Sequence, residues 1–292
     1  MRRANFIPRS IAIGTHPAMP ESAATAAAQI EAALLAQGAD RVLTGSLYDE
    51  SLRSQVHEGR FDLLIALGGD GTMLRAGRLC APVSLPVLGI NIGSFGFLIE
   101  VQQNQWHNRI PQLLQGDFYL EERMMLRVQH WQGGRMLTEQ EALNEVVVTR
   151  GQQVRPVHLR ATCNTYQLAD FIADGLIVST ATGSTAYALA AGGPILPPEQ
   201  RNILIVPLAP HLSMDRAVVL EGDSLVHVQV FTRHEAVYCV DGLPSMPMLD
   251  GDTLRVNAAE HCTTFIRFQE PGYFYKNVTK YMNQNPIIGN QE

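Results

Sequence analysis

Short apolar runs alternate with helical patterns over the first third of the chain. Strands that alternate with helices predict a parallel sheet with helices on both faces. Such sheets bind ligands at the carboxyl ends of their strands. The predicted strands lie at Ile11–Gly14, about Arg41–Leu43, Asp62–Leu67 and Leu85–Gly93, and the predicted helices at about Glu21–Ala36, which stops at Gly38, at about Asp49–Glu58, and after Gly71. We therefore predict an α/β domain over residues 1–112.

Beyond about Leu113 the pattern changes to short β-branched segments that are separated by turn residues. Several of them alternate apolar and polar positions, which favours a largely antiparallel, β-sandwich-like domain over residues 113–261. The segments include MLRVQHW, ALNEVVVTR, VHLRATC, DGLIVST, ILIVPLA, SLVHVQVF, AVYCVDG and DTLRVNA. An alanine-rich stretch, Gly183–Pro194, interrupts them and predicts a helix that Ser184 and Thr185 cap.

The stretch LIALGGDGTML, residues 64–74, leads from an apolar strand into three glycines around one aspartate. An isolated Gly-Asp-Gly usually makes a turn, in which glycine permits positive φ and the aspartate caps the next helix. Here the loop ends a predicted strand, a helix is predicted to begin at Thr72, and the glycines let backbone N–H groups approach a phosphate. Neither the Walker pattern nor the dinucleotide glycine pattern is present. The loop therefore predicts an anion site of another kind.

Asp70 brings a negative charge into this predicted phosphate loop, so it needs a chemical role. An aspartate is ionised at neutral pH and can accept the proton of a hydroxyl that attacks phosphorus. It can equally help to hold Mg²⁺ during phosphoryl transfer. Both roles indicate a kinase. We expect the donor phosphates to lie against Gly68, Gly69, Gly71, Thr72 and Arg75, although an arginine such as Arg75 more often lies on the surface.

Two further polar clusters lie in the β-rich part. Asn144 and Glu145 begin an apolar segment, where polar residues usually mark a strand entry, but their side chains also suit a base edge or a ribose diol. Asp174 precedes a segment that leads into a Ser/Thr-rich run from Thr180 to Tyr187. Helix capping is the ordinary explanation of such hydroxyls, but the run exceeds what capping needs, and Tyr187 offers an aromatic face to a base.

Composition disfavours several other classes of protein. The net charge of −6 gives no basic surface for nucleic acid, which favours a small nucleotide as the phosphate-bearing partner. No run approaches the roughly 20 apolar residues of a membrane helix, and the N-terminus lacks the apolar stretch of a signal peptide. The cysteines are far apart, which disfavours a sequence-local zinc site and favours reduced, mostly buried thiols. We expect a cytoplasmic protein with no membrane partner.

Taken in order, the motifs resemble those of bacterial NAD kinases. The motifs are Gly68–Thr72, Asn144–Glu145 and Asp174–Pro194, with GINIGSFGFL at 89–98 and VDG at 240–242. The glycine motif is shared with diacylglycerol kinases, whereas the long third motif is highly specific. The resemblance implies an enzyme that phosphorylates the 2′-hydroxyl of the adenosine ribose of NAD. It also implies ATP or another phosphoryl donor, and a divalent cation, Mg²⁺ or Mn²⁺.

The resemblance assigns roles to individual residues. Asp70 would be the proton acceptor, and the metal ligands stay unassigned. The NAD contacts would be Asp70, Gly71, Asn144, Glu145, Arg155, Asp174, Thr185, Ala186, Tyr187, Ala188, Leu189 and Ala190. The family further implies NAD and ATP as substrates, a homodimer or homotetramer, and a C-terminal segment, 262–292, that returns to the N-terminal domain.

Some positions depart from the family's pattern. Ala181 replaces the usual proline, Leu243 stands where Gln or Glu is frequent, and Ser94 replaces the more frequent residues of its motif. Two alternatives stay open: a lipid kinase that shares the glycine motif, and a non-catalytic module that senses a dinucleotide. The Ser/Thr-rich run counts against the first, and the intact Asp70 counts against the second.

Overall fold

The computed structural model divides the chain into two compact units. The first comprises Met1–Glu122 and Cys262–Glu292, and the second comprises Arg123–His261. The structure describes residues 1–17, 21–92, 96–153, 155–211, 213–232, 234–270, 272, 274, 275 and 278. The motif residues 93–95, which include Ser94, lie outside the described residues. Within these ranges, no helix combines the length and hydropathy that a membrane span requires.

Strands and helices alternate along the first unit. The elements are β1 (Arg2–Arg3), β2 (Ser10–Thr15), α1 (Glu21–Ala36), β3 (Arg41–Ser46), α2 (Glu50–His57), β4 (Leu63–Gly68), α3 (Asp70–Cys80), a short 3-10 helix (Ala81–Val83), β5 (Val87–Asn91), β6 (Val101–Gln102) and α4 (Trp106–Leu114). Gly38 ends α1 as predicted, because its φ of +100° suits a residue without a side chain. The Ala39 N–H then donates to the Leu34 carbonyl at 3.0 Å, as in a Schellman motif.

The sheet of the first unit is parallel and carries helices on both faces. Its strands follow the order β3, β2, β4 and β5, and β6 also pairs with β5. Leu63, Ile65 and Leu67 of β4 pack into one apolar core with α1 and α4. On the other face, the Met73 sulfur of α3 lies 2.7 Å from the place that a Cβ would take on Gly89. This arrangement confirms the predicted α/β architecture, and β4 leads directly into α3.

Strands dominate the rest of the chain. The elements are β7 (Tyr119–Gln132), β8 (Arg135–Ala142), β9 (Glu145–Arg150), β10 (Val157–Cys163), β11 (Tyr166–Ala173), β12 (Gly175–Thr180), a 3-10 helix (Thr182–Thr185), α5 (Tyr187–Ala190), β13 (Asn202–Leu208), β14 (Val218–Glu221), β15 (Val226–Phe231), β16 (Ala236–Val240), β17 (Met246–Met248) and β18 (Thr253–Arg267). The start of β7 and the end of β18 belong to the first unit. There, β1 pairs with β7, and the end of β18 runs parallel to β5.

The described strands of the second unit form a sandwich of antiparallel sheets. One sheet has the order β11, β10, β15 and β18, with β7 beside β18 and β8 beside β7. The other has the order β14, β13, β12, β9, β16 and β17. Val148 and Leu176 from the second sheet and Leu159 and Val228 from the first are fully buried in one shared core. The sheets therefore pack face to face, which confirms the predicted β-rich domain.

The helix predicted over Gly183–Pro194 is wrong in extent, because the chain makes a 3-10 turn and then only the single turn α5. Ser184 and Thr185 do not cap a helix. Their hydroxyls donate to carbonyl groups three residues earlier, at 2.7 and 3.2 Å. Ala186 separates the two turns with φ of −99° and ψ of −129°, a conformation that a helix cannot pass through. Composition alone does not show this break.

A buried ion pair fixes the strands β7 and β18 in the first unit. The side chains of Glu121 and Arg267 are 0% and 1% exposed. Arg267 Nε donates to Glu121 Oε2, and Arg267 Nη1 donates to the Leu98 carbonyl at 2.8 Å. These are the strands by which the chain leaves and re-enters the unit. The ion pair therefore connects the strand that leaves the unit, the strand that re-enters it and the segment that contains Leu98.

We predict that Glu121→Ala lowers the free energy of unfolding by roughly 3–5 kcal/mol, because a buried charge loses its partner. The double variant Glu121→Leu/Arg267→Met should recover most of this loss. Glu122→Ala is the matched control, since the neighbouring Glu122 side chain is 59% exposed and its contact with Arg2 is a surface pair. Urea unfolding of the full chain, followed by circular dichroism, measures all three variants. An equal effect of Glu121→Ala and Glu122→Ala would contradict the prediction.

Candidate active site

The glycine-rich loop brings the backbone close to Thr72 and leaves space on its outer side. A Cβ on Gly68 would lie 2.2 Å from Thr72 Oγ1, so Gly68 has no room for a side chain. For Gly69 and Gly71, no surrounding atom of the described residues lies within 4 Å of the place that a Cβ would take. The helix α3 begins at Asp70, two residues before the predicted start. The loop therefore keeps the first N–H groups of α3 approachable, where a helix favours anions.

Asp70 is held by a segment that lies downstream of β5. The Phe97 N–H donates to Asp70 Oδ2 at 2.8 Å, and the Leu98 N–H donates to Asp70 Oδ1 at 3.0 Å. Gly96 must be glycine here, because a Cβ would lie 2.1 Å from Asp70 Oδ1. The N-cap of α3 is Gly69, and the Asp70 carboxylate accepts the N–H groups of Phe97 and Leu98 instead, so Asp70 does not cap the helix as the ordinary turn interpretation expects. The side chain is fixed in one orientation instead.

The surroundings of Asp70 make its carboxylate a stronger base. Burial raises the pKa of Asp70 above its ordinary value, and this effect outweighs the N–H groups of Leu98 and Phe97 and the charge of Arg267, which act in the opposite direction. Arg267 also donates to the Leu98 carbonyl. The same arginine therefore supports the segment that holds Asp70 and moderates the charge of its carboxylate. Sequence reasoning missed Arg267, since nothing local marks it.

Arg75 lies against an aromatic ring. Its guanidinium carbon is 4.1 Å from the centre of the Tyr48 ring, a distance at which a cation and a π system attract each other. This contact holds the side chain of Arg75, a residue of the second turn of α3, against Tyr48. A contact between Arg75 and donor phosphates stays a prediction.

Asn91 is a polar residue of the loop region that sequence reasoning missed. It ends β5 and pairs in register with Gly68 of β4, so it lies at the carboxyl edge of the sheet. Its Nδ2 donates to Gln102 Oε1 at 3.1 Å, whereas its buried Oδ1 has no partner among the described residues. A polar residue at the end of an otherwise apolar strand was the available signal.

Asn144 and Glu145 lie in a turn that the Asp241 carboxylate organises. Asp241 accepts the N–H groups of Leu143, Asn144 and Glu145 at 2.7, 2.9 and 3.0 Å. Asp241 has φ of +46°, and Gly242 follows with φ of +70°. These left-handed residues turn the chain after β16, which explains the VDG sequence. The sequence showed the motif but not this role for Asp241.

The side chains of Asn144 and Glu145 keep unused oxygens. Both residues are 9% exposed, and Asn144 Oδ1 and Glu145 Oε2 are buried with no partner in the described part of the chain. Burial and the nearby Asp241 charge raise the pKa of Glu145 to about 8. Glu145 is therefore largely protonated at neutral pH and can donate as well as accept. Native proteins rarely leave such groups unsatisfied, and a ligand is one explanation.

The Ser/Thr-rich run builds the wall behind Asn144. Thr180 Oγ1 donates to the Leu143 carbonyl at 2.6 Å and accepts the Gly183 N–H at 3.1 Å. Ser179 Oγ donates to the Asn144 carbonyl at 3.0 Å. A Cβ on Gly183 would lie 2.4 Å from that carbonyl oxygen, so Gly183 also has no room for a side chain. The hydroxyls therefore serve this turn rather than a helix cap.

A cleft in the second unit contains three of the residues predicted to contact NAD. It has a volume of about 360 Å³, and its lining includes Asp174, Tyr187 and Ala190. Arg150, which was not predicted, pairs there with Asp174 at 3.1 Å. The Tyr187 side chain is exposed at the edge of the cleft, where a ligand can reach its ring.

The other predicted contacts lie elsewhere. Ala188 is fully buried in an apolar cluster with strands β12 and β13. The Thr185 hydroxyl donates to the Thr182 carbonyl, and Ala186 and Leu189 are half-buried in the 3-10 turn and α5 region. Arg155 lies on an exposed segment, where its Nη1 is 3.2 Å from His234 Nε2. Leu243 donates its N–H to the Val240 carbonyl at 2.9 Å, so it has a backbone role in the turn after β16.

The first unit thus contains the glycine loop with Asp70. The second unit contains two groups of predicted residues: the turn with Asn144 and Glu145, and the cleft with Asp174 and Tyr187. An α/β unit with a tethered aspartate at a glycine loop, joined in one chain to a β-sandwich with unsatisfied polar groups, defines a two-domain kinase fold. Family models agree with this class. Residues 14–118 match the ATP-NAD kinase N-terminal domain, and residues 143–268 match the ATP-NAD kinase C-terminal domain. The chain belongs to the NAD kinase family.

Relatives cover most of the chain. An NAD kinase of Chloroflexus aurantiacus is 42% identical over 214 residues, which are 73% of this chain and 78% of that protein. An NAD kinase of Dehalococcoides mccartyi strain CBDB1 is 34% identical over 282 residues, which are 96% and 98% of the two chains.

Solved structures share the fold at lower identity. Yeast NADH kinase complexed with NADH gives a TM-score of 0.83 at 20% identity and covers 96% of this chain and 89% of its own. An NAD kinase from Archaeoglobus fulgidus in complex with ATP gives a TM-score of 0.73 at 23% identity, covering 94% and 100%. At these identities the likeness shows the fold.

We predict that Glu145→Gln stabilises the protein more at pH 9 than at pH 6. The pKa of Glu145 is raised on folding from 4.5 to about 8, so its contribution to stability is fully present below pH 4.5, falls as the pH rises, and is fully lost above about pH 8. Glutamine carries no charge at either pH. We expect the Tm of the variant to exceed that of the native protein by at least about 3 °C at pH 9. Equal Tm differences at both pH values would contradict the raised pKa.

Proposed function

We propose that this protein transfers the terminal phosphoryl group of ATP to the 2′-hydroxyl of the adenosine ribose of NAD, which yields NADP and ADP. Membership of the NAD kinase family supplies the reaction class. The observation that carries the chemical step is the half-buried Asp70 carboxylate, fixed by two backbone N–H groups beside an open glycine loop. Formation of NADP from NAD and ATP by the purified protein tests the proposal directly.

In the proposed step, the 2′-oxygen of NAD attacks the terminal phosphorus of ATP. The new O–P bond forms as the bond to the bridging oxygen breaks, and ADP leaves. Asp70 accepts the proton of the hydroxyl. Each Asp70 oxygen already accepts one N–H, and a carboxylate oxygen has room for a second hydrogen bond. The two backbone hydrogen bonds therefore orient the carboxylate and leave each of its oxygens able to accept one more hydrogen bond.

The donor phosphates are proposed to lie over Gly69 and Gly71. These positions have space where side chains would otherwise stand, and the first N–H groups of α3 favour negative charge. Thr72 and Gly68 shape the loop from beneath, since they contact each other. At Gly69 and Gly71 the absence of a side chain gives the phosphates access to the backbone, and no left-handed turn is required there.

A divalent cation, Mg²⁺ or Mn²⁺, fits this site as a companion of the nucleotide. Within the described ranges, no cluster of His, Cys, Asp and Glu has the arrangement of a protein metal cage. Mg²⁺ is commonly held by substrate phosphates and one or two carboxylates, and Asp70 keeps one free acceptor direction on each oxygen. When bound, the cation would neutralise charge on the phosphates. Asp70 is the residue that would help to hold it.

The adenosine part of NAD is proposed to bind at Asn144 and Glu145. The side-chain oxygen Oδ1 of Asn144 and the largely protonated Glu145 offer an acceptor and a donor that are otherwise unused among the described residues. Tyr187 and Asp174 are proposed to contact the dinucleotide at their cleft, with Arg150 holding the Asp174 carboxylate. Arg155 and Arg75 are proposed as further contacts to phosphate.

The alternatives have less support. A lipid kinase shares only the glycine motif, whereas residues 143–268 match the C-terminal domain of ATP-NAD kinases. A non-catalytic module would not need a buried carboxylate whose pKa burial raises. Neither alternative accounts for both the Asp70 site of the first unit and the family match of the second unit.

Assembly and location are also proposed. Tyr166 and Ile172 of β11 are 76% and 51% exposed, and β11 ends the strand order of its sheet. Exposed apolar residues on such a strand favour contact with another copy, in a homodimer or homotetramer. The described part of the chain contains four cysteines, and no disulfide joins any of them: Cys80, Cys163, Cys239 and Cys262. Cys80 is buried, whereas the other three are partly exposed, so the expectation of mostly buried thiols is wrong. Unbridged thiols fit the reducing cytoplasm.

We predict that Asp70→Asn lowers kcat by at least about 100-fold while NAD still binds, because the proton acceptor is lost. Asp62→Asn is the matched control. The Asp62 carboxylate also accepts two N–H groups, from Arg9 and Ser10 at 2.7 and 2.8 Å, but it precedes β4 instead of following it. Steady-state NADP formation and calorimetric NAD titration measure both variants. A kcat near the native value in Asp70→Asn would exclude Asp70 as the base.

We predict that Asn144→Ala raises the KM for NAD about tenfold and changes kcat less than about threefold, because a buried hydrogen bond to the bound adenosine is lost. Asn202→Ala serves as the control, since Asn202 also begins a strand of the second unit and donates to a backbone carbonyl, that of Leu220, at 3.2 Å. An unchanged KM in Asn144→Ala would show that the adenosine binds elsewhere.

A further inference from the structure

A grid of polar side chains covers the outer face of the β10, β15 and β18 strands. Register places Thr162 beside His227 and His227 beside Arg255, and the next row joins Arg160, Gln229 and Thr253. The residues between these rows, Ala161, Val228 and Leu254, are fully buried in the sandwich core. The grid therefore lies on the opposite face of the sheet, away from the core.

These side chains form the floor of a pocket, here called the outer pocket. Its volume is about 420 Å³, within the range of about 300–1,000 Å³ of small-molecule sites. Trp131 forms one side of it, and Gly133, Gly134 and Gly251 line its edge. These glycines have φ of +55°, +83° and +85°, and no described atom lies within 4 Å of the place that a Cβ would take on any of them. The outer pocket is therefore open on the side where these glycines lie, because no side chains stand there.

The outer pocket contains a cation without an acidic partner. Arg160 is neutralised by Asp170, to which it donates at 2.8 and 3.3 Å. Arg255 has no carboxylate within ion-pair distance among the described residues, and its guanidinium carbon lies 4.1 Å from the centre of the Trp131 ring. Stacking holds the guanidinium plane in place while its N–H groups stay available. A preoriented guanidinium without a partner favours an anionic ligand.

His227 adds an unsatisfied nitrogen beside Arg255. Its Nδ1 lies 3.4 Å from Thr162 Oγ1, whereas its Nε2 is buried and has no partner among the described residues. Burial and the Arg255 charge lower the pKa of His227, so the ring is neutral at physiological pH. If the Thr162 hydroxyl donates to Nδ1, then Nε2 carries the proton and is a donor. Two donors of different kinds are thus adjacent, on neighbouring strands.

We propose that the outer pocket binds a phosphorylated small molecule of about mononucleotide size, with its phosphate on Arg255 and His227 and the rest over Arg160, Gln229 and Thr253. A guanidinium and an imidazole N–H supply the donors that a phosphate accepts, and the hydroxyl and amide groups of the second row suit a sugar. The site lies within the second unit and uses none of the residues assigned to NAD or ATP.

Trp131 provides a local signal for the test. The chain has two tryptophans, so Trp106→Phe leaves Trp131 as the sole tryptophan, which is excited selectively at a wavelength where tyrosine does not absorb. The full-length Trp106→Phe protein is titrated with uridine monophosphate, inorganic phosphate and citrate, in the presence of saturating NAD to occupy the active site. Calorimetry repeats each titration without relying on fluorescence. We expect a saturable response to uridine monophosphate with a Kd of about 1 mM or lower.

Variants locate the binding. Arg255→Gln should weaken binding of uridine monophosphate at least about tenfold, the effect of one lost charge-assisted contact. His227→Ala should weaken it in the same direction. Arg216→Gln is the matched control, because Arg216 is an arginine of the same unit whose side chain is 86% exposed. NADP formation at saturating substrates should be unchanged in Arg255→Gln.

Three results would overturn the proposal. The first is no saturable response to either phosphate probe up to about 10 mM. The second is a uridine monophosphate affinity that Arg255→Gln leaves at the native value. The third is binding of citrate alone, which would replace the assigned ligand class with carboxylates.

Discussion

The hydrogen bonds from Phe97 and Leu98 to the Asp70 carboxylate are the constraint on which the proposed chemistry depends. A carboxylate at the start of a helix is normally free to rotate or to bond with its own backbone. Here it is fixed from outside the helix, and Gly96 lets the chain come close enough to do so. Arg267 extends this constraint, since it donates to the Leu98 carbonyl and pairs with the buried Glu121. The base is therefore positioned by the buried interior of the unit.

The second unit uses the same physical device. Asp241 accepts three consecutive N–H groups and so fixes the turn that presents Asn144 and Glu145. In both units a half-buried aspartate orders a loop, but the consequences differ. Asp70 keeps acceptor capacity for a substrate, whereas the oxygens of Asp241 accept backbone N–H groups. Burial raises the pKa of Glu145, and the charge of Asp241 raises it further. One aspartate is suited to chemistry and the other to positioning.

Local patterns predicted the parts of the fold that depend on local physics. The alternation of strands with helices, the stop of α1 at Gly38 and the β-rich second unit all follow from periodicity and glycine. The same reasoning predicted a long helix after Gly183, because alanine favours helices wherever it occurs, and the backbone at Ala186 ended it. The partners of Asp70 lie 27 and 28 residues away, and Asp241 lies 97 residues from Asn144. Contacts over such separations leave no local pattern, so Arg267 and the role of Asp241 were missed.

The pH dependence of kcat for NADP formation tests the central claim most directly, with circular dichroism to confirm that the protein stays folded over the range used. Because burial raises the pKa of Asp70 and the base must be ionised, we predict that kcat falls as the pH is lowered through a value above the ordinary aspartate pKa of about 4. A kcat that stays constant down to about pH 4 in the folded protein would contradict a buried, tethered aspartate as the proton acceptor.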